Sequence, residues 1–140
     1  MVEKSGTTSS NRENALRAID EFFATFNAQD REAYAATLNY PHVRIHDGNV
    51  VIWRTPEEFL QTSESNLSAL VTAGWHHSEY EIKDIIHSSN YQVHVALQFT
   101  RHDAIGNTTG TFQRIYVVTC KDGHWGIQAR LGFSPQASDI

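Results

Sequence analysis

Residues 76–133 contain four consecutive segments in which apolar and polar side chains alternate. The segments read HHSEYEIKDII, YQVHVALQFTR, TFQRIYVVTC and HWGIQARLGF, and the turn sequences DAIGN and KDG separate the last three. A period of two residues is typical of a strand with one buried face, here Val93, Val95, Leu97 and Phe99 in the second segment. Four such strands joined by short turns predict an antiparallel meander, whose apolar face needs a covering layer.

The sequence of the first half of the chain predicts helices that can cover this apolar face. Ser10 and Glu13 form the S-x-x-E pattern of a capping box, and apolar side chains recur after it at helical spacing. Asp30 is predicted to cap a second, shorter helix, which Pro41 ends. The sequence HVRIHDGNVVIW at 42–53 predicts a hairpin, and the sequence TPEE after it opens a third helix.

The order of these elements defines the fold class. Helix, helix, hairpin, helix and four strands predict an α+β fold, with three N-terminal helices packed on a strongly curved antiparallel sheet. A chain of 140 residues suits one domain, expected over residues 10–134. Short tails are expected at 1–9 and 135–140.

Composition narrows the function classes. The net charge of −5 argues against nucleic acid as a partner, because nucleic-acid-binding proteins present a basic face. No apolar run approaches the ~20 residues that span a bilayer, and the N-terminal sequence lacks the apolar block of a signal peptide. Cys120 is the sole cysteine, which excludes an intrachain disulfide and fits a reducing compartment. We therefore expect a cytoplasmic protein without membrane or nucleic-acid partners.

Three stretches resemble one known superfamily: FFATFNAQDREAYAATLN at 22–39, TPEEFL at 55–60 and TCKDGHWGIQARLGF at 119–133. The last is similar to a closing hairpin with a glycine turn followed by a tryptophan. The chain resembles the nuclear transport factor 2-like superfamily over about residues 10 to 134, in its bacterial branch of SnoaL-like polyketide cyclases and steroid delta-isomerases. The resemblance implies a cone-shaped fold, an apolar cavity at its wide end, and a homodimer formed through the outer sheet face.

The resemblance also implies a catalytic residue. Steroid delta-isomerases carry a proton-abstracting carboxylate near the end of the first short strand, and the matching position here is His46. Histidine suits the role, because its ordinary pKa of about 6.5 leaves a neutral fraction at neutral pH. The isomerases hold the substrate oxygen with a tyrosine where this chain has Phe22, and of the residues near their second donor only Tyr116 can donate. Their particular reaction is not expected, but a SnoaL-like dehydratase or cyclase reaction stays open. Strand alternation leaves open whether His46 or Asp47 points inward.

Several further residues are candidates for the cavity wall. The predicted site combines the catalytic candidate His46 with the lining candidates Phe22, Tyr34, Trp53, Phe59, His76, Tyr80, Arg114 and Tyr116. Arg114 and Arg130 would bind a substrate carboxylate inside a cavity, or lie at a subunit interface on the outer face, which is slightly favoured. Arg101 is expected to be exposed, because a turn follows it closely. Trp125 is expected in the core, because apolar residues alternate after it at Ile127, Ala129 and Leu131.

No metal site is predicted. Although the chain has eight histidines, it has no H-x-x-x-H on a predicted helix and no C-x-x-C.

Two functions remain open. The first function is a small-molecule-binding protein or a cofactor-independent acid/base enzyme of the isomerase, dehydratase or cyclase type, which takes a small apolar or aromatic ligand in an apolar pocket. The alternative is a noncatalytic dimeric adaptor or accessory subunit, which binds another protein through its sheet face.

Overall fold

The structure is a computed structural model, and it describes residues 10–134. The two predicted tails, 1–9 and 135–140, lie outside the described residues. The elements are α1 (Asn11–Asn27), α2 (Arg31–Ala36), β1 (Leu38–His46), β2 (Asn49–Trp53), α3 (Pro56–Thr72), β3 (His77–Ser88), β4 (Gln92–His102), β5 (Thr108–Lys121) and β6 (His124–Gly132). This order confirms the α+β prediction. None of these helices is long and apolar enough to cross a membrane.

Helix α1 begins where the sequence predicts. The Ser10 hydroxyl accepts a hydrogen bond from the Glu13 amide at 3.1 Å, and the Glu13 carboxylate accepts one from the Ser10 amide at 2.8 Å. Both halves of the capping box are therefore present. The buried face of α1 consists of Ala15, Ala18, Ile19, Phe22 and Phe23. Burying one large apolar side chain contributes about 1.5–3 kcal/mol, so packing against the sheet stabilises α1 more than its cap does.

Helix α2 ends earlier than predicted. Asp30 caps it as expected, but the helix stops at Ala36 rather than at Pro41. The chain becomes extended there because the Ile127 amide donates a hydrogen bond to the Thr37 carbonyl at 3.0 Å, next to the first residue pair of β1 and β6. Pairing with a distant strand therefore ends the helix before the proline does.

The six strands form one curved sheet in the order β2-β1-β6-β5-β4-β3. Strands β3 to β6 form the predicted antiparallel meander. Strand β1 pairs with β6 in parallel, and this is the one pairing in the described sheet that is not antiparallel. Because the two strands run in the same direction, they end side by side, with His46 opposite Gly132.

A β-bulge changes which residues of β6 face the helices. Ile127 and Ala129 pair with consecutive residues of β5, so Gln128 is an extra residue. Ile127, which is fully buried, and Arg130 both face inward as a result. The prediction that Ala129 and Leu131 share the core face with Ile127 is wrong, because the bulge turns both toward the outer face.

The core lies between the helices and the concave face of the sheet. Val93, Val95, Leu97 and Phe99 are buried there, as the alternation predicts. Trp125 packs against this core and is half-buried. Aliphatic side chains are also exposed on the opposite, outer face of the sheet: Ile45, Val50, Ile52 and Ile115.

Candidate functional site

A cavity lies between the concave face of the sheet and the helices. It consists of two adjoining spaces, an inner one of about 90 Å³ and an outer one of about 510 Å³. The residues that border both spaces are Phe26, Tyr34, Arg44, Arg101 and Arg130. His46 and Gly132, at the ends of β1 and β6, border the inner space. We call the two spaces together the arginine cavity.

Four arginines from four strands line this cavity: Arg44 of β1, Arg101 of β4, Arg114 of β5 and Arg130 of β6. Within residues 10–134, no aspartate or glutamate lines either space, and none of the four forms an ion pair with a carboxylate. The cavity therefore differs from the apolar one that the resemblance implies, because its aromatic walls surround a cluster of cations. Unpaired buried cations are costly, so such a cluster is typical of an anion-binding site.

Arg130 is held by a buried histidine. Its Nε donates a hydrogen bond to His42 Nε2 at 2.9 Å, and His42 Nδ1 lies 2.9 Å from the Ile127 carbonyl. Arginine only donates and a carbonyl only accepts, so the proton of His42 is on Nδ1 and the ring is neutral. Burial, followed by the positive charge of Arg130, lowers the pKa of His42 to about 3. His42 therefore orients Arg130 without adding charge to the cavity.

Aromatic rings support the arginine side chains. The Arg101 guanidinium lies 4.6 Å from the centre of the Phe112 ring, and the Arg114 guanidinium lies 5.3 Å from it. Arg114 Nη1 also donates to the carbonyls of Gln113 and Phe133, at 2.9 and 3.2 Å. Such contacts fix a guanidinium in place but leave its charge unneutralised.

The electrostatics of the cavity favour a negatively charged occupant. Burial lowers the pKa of the Arg44, Arg101 and Arg114 guanidinium groups, and for Arg44 the charge of Arg130 is the next cause. Guanidinium groups nevertheless stay protonated in proteins, so the four charges remain and repel one another. An anion among them would remove both the repulsion and much of the desolvation cost.

Two tyrosines add neutral donors. Burial raises the pKa of Tyr34 and raises that of Tyr116 to about 12, so both hydroxyls stay protonated at neutral pH. The Tyr34 hydroxyl also interacts with Arg130. The cavity therefore offers hydroxyl donors beside its guanidinium groups.

His46 lines the inner space, whereas Asp47 is exposed in the turn with a positive φ of 49°. His46 Nε2 lies 3.4 Å from Asp47 Oδ2 and 3.1 Å from Ser134 Oγ. His46 Nδ1 is enclosed and has no hydrogen-bond partner among the residues that the structure describes. Burial, followed by the charges of Arg44 and Arg114, lowers the pKa of His46. A neutral ring whose Nε2–H donates to Ser134 Oγ, beside the Asp47 carboxylate, leaves Nδ1 as a proton acceptor.

The structure brings most of the predicted lining residues to the cavity. Phe22, Tyr34, Arg114 and Tyr116 line the inner space, and Trp53 and Phe59 line the outer one. His76 and Tyr80 border neither space. His76 is exposed and contacts His77, while the Tyr80 ring stacks on Phe23 and its hydroxyl donates to Asp20 at 2.7 Å. Tyr80 therefore belongs to the contact between β3 and α1.

Sequence reasoning missed part of the site. Arg101 was expected to be exposed, but β4 continues through His102 and turns Arg101 inward. The outer face was slightly favoured for Arg114 and Arg130, but both line the cavity, and for Arg130 the bulge at Gln128 reverses the side. His42 and Arg44 were not predicted as site residues. Arg44 and His42 lie two and four residues before His46, so all three share one face of the same strand. This spacing could have indicated them from the sequence.

These features, a curved six-stranded sheet with three helices that close a cavity on its concave face, define an NTF2-like protein. The family described as "NTF2-like protein (DUF6841)" matches residues 12–131, and the chain belongs to this family. The match confirms the resemblance to the nuclear transport factor 2-like superfamily. No curated protein matches the chain.

Solved structures share the fold at low sequence identity. An NTF-2 like protein of unknown function from Shewanella oneidensis is 19% identical, with a TM-score of 0.71 over 88% of this chain and 98% of that one. A ketosteroid isomerase-like protein from Erwinia carotovora atroseptica is 19% identical, with a TM-score of 0.65 over 88% and 95%. A candidate dehydratase of the NTF2-like family from Streptomyces avermitilis is 15% identical, with a TM-score of 0.64 over 89% and 96%. At these identities the likeness establishes the fold alone.

Proposed function

We propose that this protein binds a small organic anion in the arginine cavity. The observation that carries the proposal is the convergence of Arg44, Arg101, Arg114 and Arg130 on one space whose described lining has no carboxylate. A ligand carboxylate, sulfonate or phosphate would accept charge-assisted hydrogen bonds from these groups. Each such bond contributes about 1.5–3 kcal/mol, which corresponds to roughly ten-fold to a hundred-fold in affinity.

The walls of the cavity favour a ligand that also carries a ring. Phe22 and Phe26 border the inner space, and Trp53 and Phe59 border the outer one. The Arg130 guanidinium lies 5.5 Å from the centre of the Phe22 ring. A planar apolar group would pack against these faces while its acid group reaches the arginines. An aromatic acid combines both requirements.

A catalytic role rests on His46. Its lowered pKa keeps the ring neutral at neutral pH, and its Nδ1 has no partner among the described residues. His46 would accept a proton from a carbon next to a carbonyl of the bound anion and return it elsewhere, without a cofactor, while the arginines and Tyr116 stabilise the enolate. The ketosteroid isomerase-like protein and the candidate dehydratase of the same fold are compatible with an isomerase, dehydratase or cyclase reaction.

The binding proposal is tested by comparing a ligand with its neutral analogue. Benzoate and phenyl phosphate are expected to raise the midpoint of thermal unfolding, whereas benzamide at equal concentration is not. Titration calorimetry should give an affinity at least ten-fold weaker for Arg130→Met, since one charge-assisted contact is lost. Arg54→Met is the matched control, because Arg54 is exposed and borders neither space. Equal binding of benzamide, or equal losses in both variants, would contradict the proposal.

The catalytic role has a separate test. Phenylpyruvate carries a ring, a carboxylate and an exchangeable C–H next to a carbonyl. In deuterated buffer, the wild type is expected to accelerate the exchange of this hydrogen, as measured by NMR. His46→Gln should lower the enzymatic rate about 10²-fold or more, while exposed His76→Gln should not. Tight binding without accelerated exchange would leave a binding protein and remove the acid/base role.

A further inference from the structure

We propose that His77, Glu79 and His102 form a binding site for a divalent transition-metal ion, with Zn²⁺ as the best match. The three residues lie on strands β3 and β4, on the outer face of the sheet. His77 and His102 are direct cross-strand partners, and Glu79 lies two residues along β3 on the same face. Their three ligand atoms all lie within 4.8 Å of one another.

The three ligand atoms lie close together. His77 Nε2 lies 3.3 Å from Glu79 Oε2, and His102 Nε2 lies 3.7 Å from Glu79 Oε1. The two imidazole rings stack with centroids 4.9 Å apart and planes 13° apart. A tetrahedral zinc ion with ligands at about 2.0–2.1 Å separates its ligand atoms by about 3.4 Å. Small shifts at the carboxylate, together with a tilt of the two stacked rings toward each other, would complete the geometry.

The donor set determines the class of metal. Two imidazole nitrogens and one carboxylate oxygen suit Zn²⁺ and neighbouring transition metals, whereas Ca²⁺ and Mg²⁺ prefer oxygen ligands alone. The three protein ligands leave a fourth tetrahedral position for water or for a donor from another molecule. The Glu79 carboxylate carries one negative charge, so it also lowers the electrostatic free energy of placing a cation beside the two imidazole rings.

A neighbouring side chain orients one of the ligands. His76 Nδ1 lies 3.0 Å from His77 Nδ1, which leaves His77 Nε2 directed to the carboxylate. The contact of Thr100 Oγ1 with His102 Nε2, at 2.9 Å, engages the ligand nitrogen itself, so the metal ion would replace it, whereas the contact between His76 and His77 would remain. Contacts of this kind commonly fix the ring orientation of metal-ligating histidines. The His102 side chain is 14% exposed, so part of the site is shielded from water.

This site is distinct from the arginine cavity, although both use the same two strands. Ser78 and Arg101 are the next cross-strand pair, and both line the cavity on the concave face. His77 and His102 point to the opposite side. The metal proposal therefore does not depend on the proposed function.

The same strand pair supplies a matched control. His87 and His94 are also direct cross-strand partners, with rings 5.7 Å apart. Among the described residues, only His77, Glu79 and His102 form a group with a carboxylate within ligand distance. His94→Gln therefore removes a histidine from a similar pair that lacks the third ligand.

The test is a titration of the untagged full chain, freed of metal by chelation, with Zn²⁺ in a calorimeter and with Co²⁺ by visible absorption. We expect one ion per chain, and visible Co²⁺ bands of a low-coordinate site. The affinity should fall at least ten-fold in Glu79→Gln and His102→Gln, and stay unchanged in His94→Gln. Glu79 is exposed, so its isosteric substitution leaves the fold intact, as circular dichroism would verify. The absence of saturable binding to the wild type, or an equal loss in His94→Gln, would overturn the proposal.

Discussion

His42 Nε2 accepts a hydrogen bond from Arg130 Nε at 2.9 Å, so a fully buried neutral histidine orients one of the cavity cations. The folded pKa of His42, about 3, lies below its ordinary value of about 6.5. The unfolded chain therefore binds one more proton than the folded chain between these two values. The stabilisation is fully present above about pH 6.5 and is lost as the pH falls toward about 3.

The first prediction concerns this pH dependence. The free energy of unfolding is expected to fall by about 1.4 kcal/mol per pH unit on account of His42 within that window. In His42→Gln this titration is absent, so stability should depend less on pH. The variant is also expected to be less stable at about pH 7, because the hydrogen bonds of the imidazole with Arg130 and the Ile127 carbonyl are lost. Denaturant unfolding at several pH values measures both slopes. The surface substitution His94→Gln should keep the wild-type slope, and an unchanged slope in His42→Gln would contradict the assignment.

The second prediction is that Arg44 destabilises the ligand-free protein. Arg44 makes no ion pair within the described residues, and Arg130 repels it. Arg44→Met is therefore expected to raise the free energy of unfolding by about 1 kcal/mol in dilute, anion-poor buffer. Arg44→Lys keeps the charge and should not show this gain. Saturating phenyl phosphate should stabilise the wild type more than Arg44→Met, and a less stable Arg44→Met in anion-poor buffer would contradict the repulsion.

The third prediction uses the glycine beneath Arg114. A Cβ on Gly132 would lie 2.5 Å from Arg114 Cδ and 2.6 Å from its Nε. Since the arginine end is flexible, Gly132→Ala is expected to fold but to displace the guanidinium from the cavity. Anion affinity should fall roughly ten-fold, the value of one charge-assisted contact.

A double-mutant cycle separates displacement of Arg114 from other effects of the added methyl group. In an Arg114→Met background, Gly132→Ala should cause little further loss of affinity, because its target is already absent. Additive losses from the two substitutions would mean that Gly132→Ala acts through something other than Arg114. Titration calorimetry with benzoate measures all four proteins.

The order of elements was predictable from the sequence because it depends on local features. The capping box at Ser10, the cap at Asp30 and the alternation through Leu97 each act within a few residues. Faces and pairings were harder to predict, because they depend on contacts between distant segments. The end of α2 at Ala36 follows from the Ile127–Thr37 hydrogen bond, which no local pattern encodes.

The arginine cavity contains residues whose side of the sheet could not be predicted from alternation. One extra residue, Gln128, exchanges the two faces of β6 and moves Arg130 from the outer side to the cavity. Alternation alone cannot detect a bulge, since the pattern on each side of it looks regular. The pairing of His77 with His102 likewise depends on the register of two strands. Phe22, Tyr34 and Tyr116, which the sequence analysis names, border the inner space.

The fourth prediction concerns the outer face. Cross-strand register places Ala96, Ile115, Leu131, Ile45 and Val50 in one continuous row across β4, β5, β6, β1 and β2. Ile115 is 37% exposed and Val50 is 59% exposed, so this aliphatic row is open in a single chain. Contiguous exposed apolar surface of this kind favours association. We therefore expect the homodimer that the resemblance implies.

Light scattering after gel filtration tests this prediction. Ile115→Glu places a charge at the centre of the row and should convert the dimer to a monomer, because an unpaired carboxylate would be buried at the interface. Ile105→Glu is the matched control: Ile105 is 83% exposed in the β4–β5 turn, away from the row, and its substitution should leave the dimer intact. A dimer that survives Ile115→Glu would place the interface elsewhere. A monomeric wild type would contradict the homodimer and leave the outer face for a different protein, as the adaptor function requires.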